Sequence, residues 1–529
     1  MKFYKPVFFV TLLAVCLAAS PYTQPWTFEP EEAVNPFESC TSILVGRMAS
    51  ADGSTMTSHS CDSGTDRTWI NIVPHKKHAP GDTAKIYFQS KRTRGPDDPD
   101  RLPTGKIPQV PETYAFLNTA YPVMNEYQLA IGETTIGGRR ELKSDKGIID
   151  APELYRLLLE RAKTAREAIR IADELTKKHG YTDYGECFTF ADPKETWHFE
   201  IFGPGKGQTG AVWAAQRVPD DEIGMSANAS RIRQIDLDNI EYFMASENIH
   251  SLAVENGWWS PDSGKPFEVC YAYAPGTRTR MGSRRREWRV LSLLAPSLEL
   301  NPHSENYPFS VKPDKKVTVQ DVLNIFRDTY EGTEFDMTKD LLAVDGSGQA
   351  VKSPIANPHM NNELRELFRI QRERTICSPH ATYVHVTQSR DWLPDMIGGV
   401  VWLGYDNPAT TPHTPFYCGI TRMPDSYRVD GRRSFSRDCA WWSFRRVSKL
   451  AAFRWQHITQ DIAKVWEKIE NRLFENQADI EAEAQKIYEQ DPARAQKFLT
   501  DYCVKQADAA VAAYWELGDD VWAKYSRYF

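Results

Sequence analysis

Ser39-Cys40-Thr41-Ser42-Ile43-Leu44-Val45-Gly46 is the stretch on which the fold turns. Behind it, Pro21 to Ser39 is rich in Pro, Glu and aromatic residues and has no periodicity. From Thr41 the pattern becomes that of a strand. Ile43-Leu44-Val45 is its apolar part, and Ala51-Asp52-Gly53-Ser54 is a turn leading to a second run, Thr55 to His59. Two short β runs around Asp-Gly predict a hairpin. A cysteine at the start of such a strand reads either as a small buried hydrophobe or as a nucleophile exposed by cleavage before it. The second reading carries specific chemistry. A thiol attacks as thiolate and needs a base. An α-amino group titrates near about 8, so the amine of a cysteine at a chain start can take the proton of its own thiol.

Upstream, Lys2 and Lys5 precede an apolar run from Val7 to Ala19, with Ala18-Ala19 at a plausible cut. This is the pattern of a secretory signal, too short to span a bilayer. It predicts a periplasmic or secreted protein without stable membrane insertion. Leu13-Ala14-Val15-Cys16 is similar to a lipoprotein box, but Val15 is bulky where a small residue is wanted. The division expected is residues 1–19 as signal peptide, 20–39 as a pro-segment removed on maturation, 40–450 as the main domain and 451–529 as a helical C-terminal extension packed on it.

The 529 residues are 41% hydrophobic and 26% charged, a globular composition, and the net charge of −7 argues against a nucleic-acid partner. Of the 9 cysteines, all but Cys16 lie beyond the signal. Their spacing shows no disulfide framework and no paired CxxC clusters.

Downstream, Trp69 to Val73 is a third strand candidate and Arg92 to Pro111 a Pro- and Asp-rich loop. Leu129-Ala130-Ile131 is the apolar part of another strand. A helix follows, opened by Asp150 with Glu153, carrying Leu154, Leu157, Leu158, Ala165, Ala168, Ile169, Ala172 and Leu175, and ended by Gly180. Thr196 to Phe202 and Ala211 to Val218 are strands around the turn Gly203 to Gly207. In the last eighty or so residues, Ile458, Ile462, Val465, Trp466, Ile469 and Leu473 form one helical stripe, and Ala509 to Leu517 belongs to another helix. Strands, a helical middle, more strands and a helical tail predict a layered α/β protein rather than a doubly wound one.

Several pieces recur in order with those of one known family. Cys40 to Gly46, Asp52-Gly53-Ser54-Thr55-Met56 and Asp62 resemble the mature amino terminus of bacterial dipeptidase A enzymes. Those are N-terminal-nucleophile cysteine peptidases, distantly similar to penicillin V acylase and bile salt hydrolase. Asn125-Glu126-Tyr127-Gln128-Leu129-Ala130-Ile131 is similar to the family's Asn-Glu-x-x-Leu-Ala-Ile strand, and Arg285-Arg286-Glu287-Trp288-Arg289 to its Arg-x-Trp-Arg segment. The resemblance extends from Cys40 to roughly residue 450. It implies an α+β fold, the four-layer αββα sandwich of N-terminal-nucleophile hydrolases, and hydrolysis of dipeptides. Cys40 is then the nucleophile, freed by the chain itself. Asp62 matches the carboxylate that holds its α-ammonium, Asn228 an amide facing the oxyanion, and Arg286 a guanidinium against the nucleophile, with Arg285 the register alternative. No metal or organic cofactor is implied, since one residue supplies attacker and base. The acylases carry Arg-Asn before the Asp, where His59 and Ser60 stand here. Thr134 and Thr135 fall near a second oxyanion contributor but lack an amide.

Other readings are weaker. His75 and His78 are spaced HxxH without an HExxH motif. Asp97, Asp98 and Asp100 form a solvated run or a calcium loop. Two alternatives to a dipeptidase stay open, an amidase acting on N-acyl amino acids or related amides, and a non-catalytic binding protein on the same fold. Self-association into a homo-oligomer is also left open.

Overall fold

In the computed structural model, residues 40–63, 68–87, 103–432 and 434–528 are described. The signal, the pro-segment, most of the Arg92–Pro111 loop and its Asp97, Asp98 and Asp100 lie outside them. The elements that position the site are β1 (Ser42–Val45), β2 (Ser58–Cys61), β3 (Ala130–Thr134), α1 (Ala151–Arg161), α2 (Ala165–His179), β4 (Glu186–Ala191), β5 (Thr196–Phe202), β6 (Val212–Val218), β7 (Ile223–Ser226), β8 (Phe243–Ala245), α3 (Met281–Leu294), β9 (Ser310–Val311), β10 (Tyr383–Gln388), β11 (Val400–Tyr405), β12 (Thr414–Tyr417), α5, and two long helices; here α4 is Val319–Phe326, α5 Ala440–Ala451, α6 Trp455–Tyr488 and α7 Pro492–Tyr525.

The fold is α+β, with open antiparallel sheets and no barrel among the described residues. One sheet runs in the order β8-β6-β5-β4-β3, a second in the order β2-β10-β11-β12, and a third in the order β1-β7-β9. Every residue of β4 and β5 is buried, the signature of strands covered on both faces. Helix α2 packs against β5, and α5 and α7 pack against β11 and β12. Trp455, Ile458, Leu473, Leu499 and Tyr514 of α6 and α7 share one core with Val400, Trp402 and Phe416 of the sheet.

Charge pins the long helices as well as apolar contact. Glu481 of α6 accepts two hydrogen bonds from Arg390, at 2.7 and 2.8 Å, and one from the Tyr417 hydroxyl at 3.1 Å. Phe474 of the same helix stacks on Trp402 with centroids 3.9 Å apart.

Three local expectations need correction. The helix expected from Asp150 to Gly180 is two helices. Asn125 Nδ2 donates to the carbonyls of Leu159 and Ala162 and closes the end of α1. Thr164 then accepts from the Glu167 amide and starts α2 as a new N-cap. The loop expected over Arg92 to Pro111 contains a strand, Pro103–Pro108, paired with Thr83–Tyr87. That pair is a two-stranded ribbon, so its prolines face no third strand that needs their missing N–H.

The hairpin of the first two strands is the third. β1 and β2 belong to different sheets, β1 pairing with β7 and β2 with β10. Between themselves they keep only the bridges Val45↔Met56 and Thr41↔Ser60. Serine hydroxyls replace the missing ladder bonds. Ser58 Oγ accepts from the Ile43 amide at 2.8 Å, and Ser60 Oγ accepts from the Thr41 amide at 3.0 Å. β3 comes close to this junction because Gly132 has no side chain; a Cβ there would sit 2.3 Å from the Ser58 carbonyl oxygen.

Candidate active site

The strand registers bring the candidate residues together. β1 pairs antiparallel with β7, Ser42 opposite Ser226, so continuing that register runs Asn228 past Cys40. The Thr41↔Ser60 bridge delivers Asp62 to the same place from the end of β2. Helix α3 brings Arg286 from 246 residues away. Beneath them, the Thr189 hydroxyl ties β4 to the Ser42 and Thr57 hydroxyls at 2.5 and 2.8 Å.

The Cys40 amide donates to Asp62 Oδ2 at 3.2 Å. Ser60 Oγ donates to the same oxygen at 3.3 Å, and the Arg374 guanidinium also contacts it. Asp62 is 2% exposed, and its second oxygen, Oδ1, is buried with no hydrogen-bond partner. A buried carboxylate without an opposite charge would be costly; Arg374 is that charge.

Arg286 is 1% exposed and its donors are used in full. Nη1 donates to the Cys40 carbonyl at 2.5 Å and to Thr41 Oγ1 at 3.0 Å. Nη2 donates to the Ala227 carbonyl at 3.2 Å and to Asn228 Oδ1 at 2.9 Å, and Nε to Gly282 at 3.0 Å. Burial, with repulsion from Arg374 second, pulls Arg286 down to about 9, so it stays a cation at neutral pH. Arg285 faces elsewhere. It pairs with Glu373 and stacks on Phe335.

Asn228 stands at φ 59°, in the left-handed region that Asn tolerates better than most side chains. Its Nδ2 donates one hydrogen to the Thr135 carbonyl at 2.9 Å, which leaves the amide one further hydrogen to offer. Thr135 thus contributes its backbone oxygen, and its hydroxyl donates to Glu133 at 3.0 Å. Thr134 bonds Ser226 at 2.5 Å and ties β3 to β7.

Cys40 is 5% exposed and has φ 84°. A positive φ at a non-glycine residue costs about 1–3 kcal/mol and persists only where surrounding structure imposes it. The thiol is pushed well above the usual thiol range by burial first, then by the charges of Glu133, Cys61 and Asp62. It is therefore held protonated and needs a base to become a nucleophile. Cys40, Cys187, Cys270, Cys377, Cys418, Cys439 and Cys503 are free thiols.

Sequence reasoning missed Arg374, which lies 312 residues from Asp62, and the partnership of His59 with Glu133, whose Nε2 and Oε2 are 3.3 Å apart with both side chains fully buried. The HxxH spacing, weak in the sequence, belongs to two histidines with separate partners. His75 bonds Glu126 and Glu112, and His78 bonds Thr113.

Arg374→Ala leaves Asp62 as an uncompensated buried carboxylate, and removing one partner of a buried pair costs about 3–5 kcal/mol. Denaturant unfolding of Arg374→Ala beside Arg374→Lys checks this; the lysine variant regains part of the loss. Equal stability of all three proteins would contradict the assigned pairing.

Residues 39–468 match the model of Peptidase family C69. A probable dipeptidase of Latilactobacillus sakei is 26% identical over 468 residues, covering 84% of this chain and 89% of the relative. A probable dipeptidase B of Lactococcus lactis subsp. lactis is 26% identical over 498 residues, covering 90% and 94%. A probable dipeptidase of Salmonella dublin is 25% identical over 440 residues, covering 78% and 90%. With a family match spanning most of its length and beginning at the residue before Cys40, the chain belongs to Peptidase family C69 and is a hydrolase of peptide bonds.

Proposed function

We propose that the chain is an exported cysteine dipeptidase, with Cys40 the nucleophile and the α-amine freed at Cys40 the base. In this reading residues 1–19 direct export to the periplasm or the exterior. Residues 20–39 are then removed when the chain cuts its own Ser39–Cys40 bond. The observation that carries the reading is the Cys40 nitrogen on Asp62 at 3.2 Å, in a residue held at φ 84°. That dihedral is defined by the bond to Ser39, so cleavage removes the strain along with the bond. Asp62 Oδ1, without a hydrogen-bond partner, is an acceptor in excess of what one amide hydrogen needs. An ammonium, with three hydrogens, uses it.

The steps follow from these groups. The α-amine takes the thiol proton, and the sulfur attacks the dipeptide carbonyl. Asn228, through its remaining amide hydrogen, and the charge of Arg286 stabilise the oxyanion. The α-ammonium returns its proton to the departing amine, leaving an acyl thioester. Water, deprotonated by the same amine, hydrolyses it. Asp62 and Arg374 keep the amine in place throughout. Dipeptides are the proposed substrate class because the family relatives are named for them. Helices on β5 and on β11 and β12, with β2 and β3 meeting between, support a four-layer αββα arrangement.

Amino-terminal sequencing of the purified active protein, with a panel of free dipeptides and N-acyl amino acids, tests the proposal. The expected protein begins at Cys40 and prefers free dipeptides. An active protein beginning upstream overturns the mechanism, and preference for acyl amides overturns the substrate class.

A further inference from the structure

An N-terminal amine cannot act as base before it exists. While Ser39 is still joined, the Cys40 nitrogen is an amide and has no lone pair to accept a proton. Cleavage of that bond therefore calls for a different proton acceptor beside a thiol that burial holds protonated. His59 lies on β2 and is fully buried, and neither ring nitrogen makes a hydrogen bond. The rings of Tyr121, Tyr383 and His385 hold it by their edges, 5.5–5.7 Å away. Cys40 Sγ, a His59 ring nitrogen and a Glu133 carboxylate oxygen lie within 4.8 Å of one another. Nucleophile, imidazole and carboxylate gathered within that distance are the three group types that activate thiols elsewhere.

The same three residue types meet at Cys187, His198 and Glu200, and the comparison is instructive. Glu200 there accepts from the Ser230 hydroxyl and the amides of Arg231 and Ile232, and His198 bonds it at 2.9 Å. That group is a satisfied core network. His59 has no such bonds and faces the thiol that needs deprotonation.

We propose that His59, backed by Glu133, is the base for self-cleavage of the Ser39–Cys40 bond; this rests on the maturation reading above. His59 takes the Cys40 thiol proton, and the sulfur attacks the Ser39 carbonyl carbon. The imidazolium, steadied by Glu133, gives that proton to the Cys40 nitrogen as the carbon–nitrogen bond breaks. The product is a thioester of Ser39 on Cys40, which water hydrolyses to a free thiol and the Ser39 carboxylate. From then on the new α-amine carries the protons of dipeptide turnover.

The test compares His59→Gln and Glu133→Gln with wild type in two forms. One is the chain with residues before Cys40 intact; the other has Cys40 uncovered by a site-specific protease acting on an engineered leader. Self-cleavage is followed by intact mass and dipeptide hydrolysis by product release. A lost general base slows a step by about 10²–10⁴-fold, so His59→Gln slows self-cleavage by at least a hundredfold. The pre-cleaved variant loses much less turnover, under about tenfold, with Glu133→Gln between it and wild type in cleavage. Self-cleavage of His59→Gln at the wild-type rate overturns the assignment. So does equal loss in both assays, which marks His59 as a packing residue. A purified wild type that never cleaves itself yet becomes active once Cys40 is uncovered overturns self-maturation while leaving the dipeptidase reading intact.

Discussion

Under the proposed mechanism, Cys40→Ala is expected to retain the residues before position 40 and to lose dipeptide turnover by at least about 10⁴-fold, since nucleophile and base vanish in one substitution. Intact mass and product release on one preparation check both halves. Cys40→Ser separates them further. A hydroxyl in the same place keeps the geometry but is a far poorer nucleophile at neutral pH, so self-cleavage becomes slow rather than absent. The fold should survive either change, because the bonds to Asp62 and Arg286 are made by the backbone of Cys40, which either substitution keeps. An alanine variant that folds, loses its leader unaided and retains turnover would remove Cys40 from the chemistry.

The second large effect is expected at Arg286. Arg286→Ala strips donors from the Cys40, Ala227 and Gly282 carbonyls and from Asn228 Oδ1. Each buried acceptor left unpaired costs about 1–3 kcal/mol, and water entering the space recovers part of it. A net loss of about 3–5 kcal/mol is expected in denaturant unfolding. Turnover falls by more than about a hundredfold, since Asn228 loses the group that orients its amide. Arg286→Lys retains the charge but cannot reach both sides of a planar fork. It therefore recovers stability better than activity. Wild-type activity in either variant would mean the oxyanion donor is oriented by something else.

The legible parts of the fold were those with short-range signals. Strands β5 and β6 follow from two strand-like runs on either side of a glycine-rich turn, and the long stripe of α6 from helical spacing. What misled was local completeness. The helix pattern from Leu154 to Leu175 reads through Ala162-Lys163-Thr164 because the apolar spacing nearly persists there; the break is enforced by Asn125, far away in sequence. The hairpin signal around Asp52-Gly53 is sound as a turn, yet the serines of β2 let two different sheets claim its arms.

At the site, Cys40 stood out by its place at a strand start, whereas Asp62, Asn228 and Arg286 carried little signal beyond the family pattern. Arg374 carried none. It lies in Arg372-Glu373-Arg374, a charged run that reads as a solvated face. Only the folded chain shows that its guanidinium reaches the buried carboxylate of Asp62. Glu133 was hidden for another reason. In Ala130-Ile131-Gly132-Glu133-Thr134 it looks like the polar residue of an alternating strand, expected to face water, but both faces of β3 are covered.

The grip of Asp62 on the Cys40 nitrogen, together with the clasp of Arg286 around the same residue, bears on the maturation proposed above. In many latent proteases a cut sets off a rearrangement that builds the pocket. Here the carboxylate, the guanidinium and the asparagine already stand around a nitrogen that is still acylated. Under the proposed maturation, activation is a change of bonding at one atom, and the forms before and after cleavage are expected to share nearly the same melting behaviour and spectra.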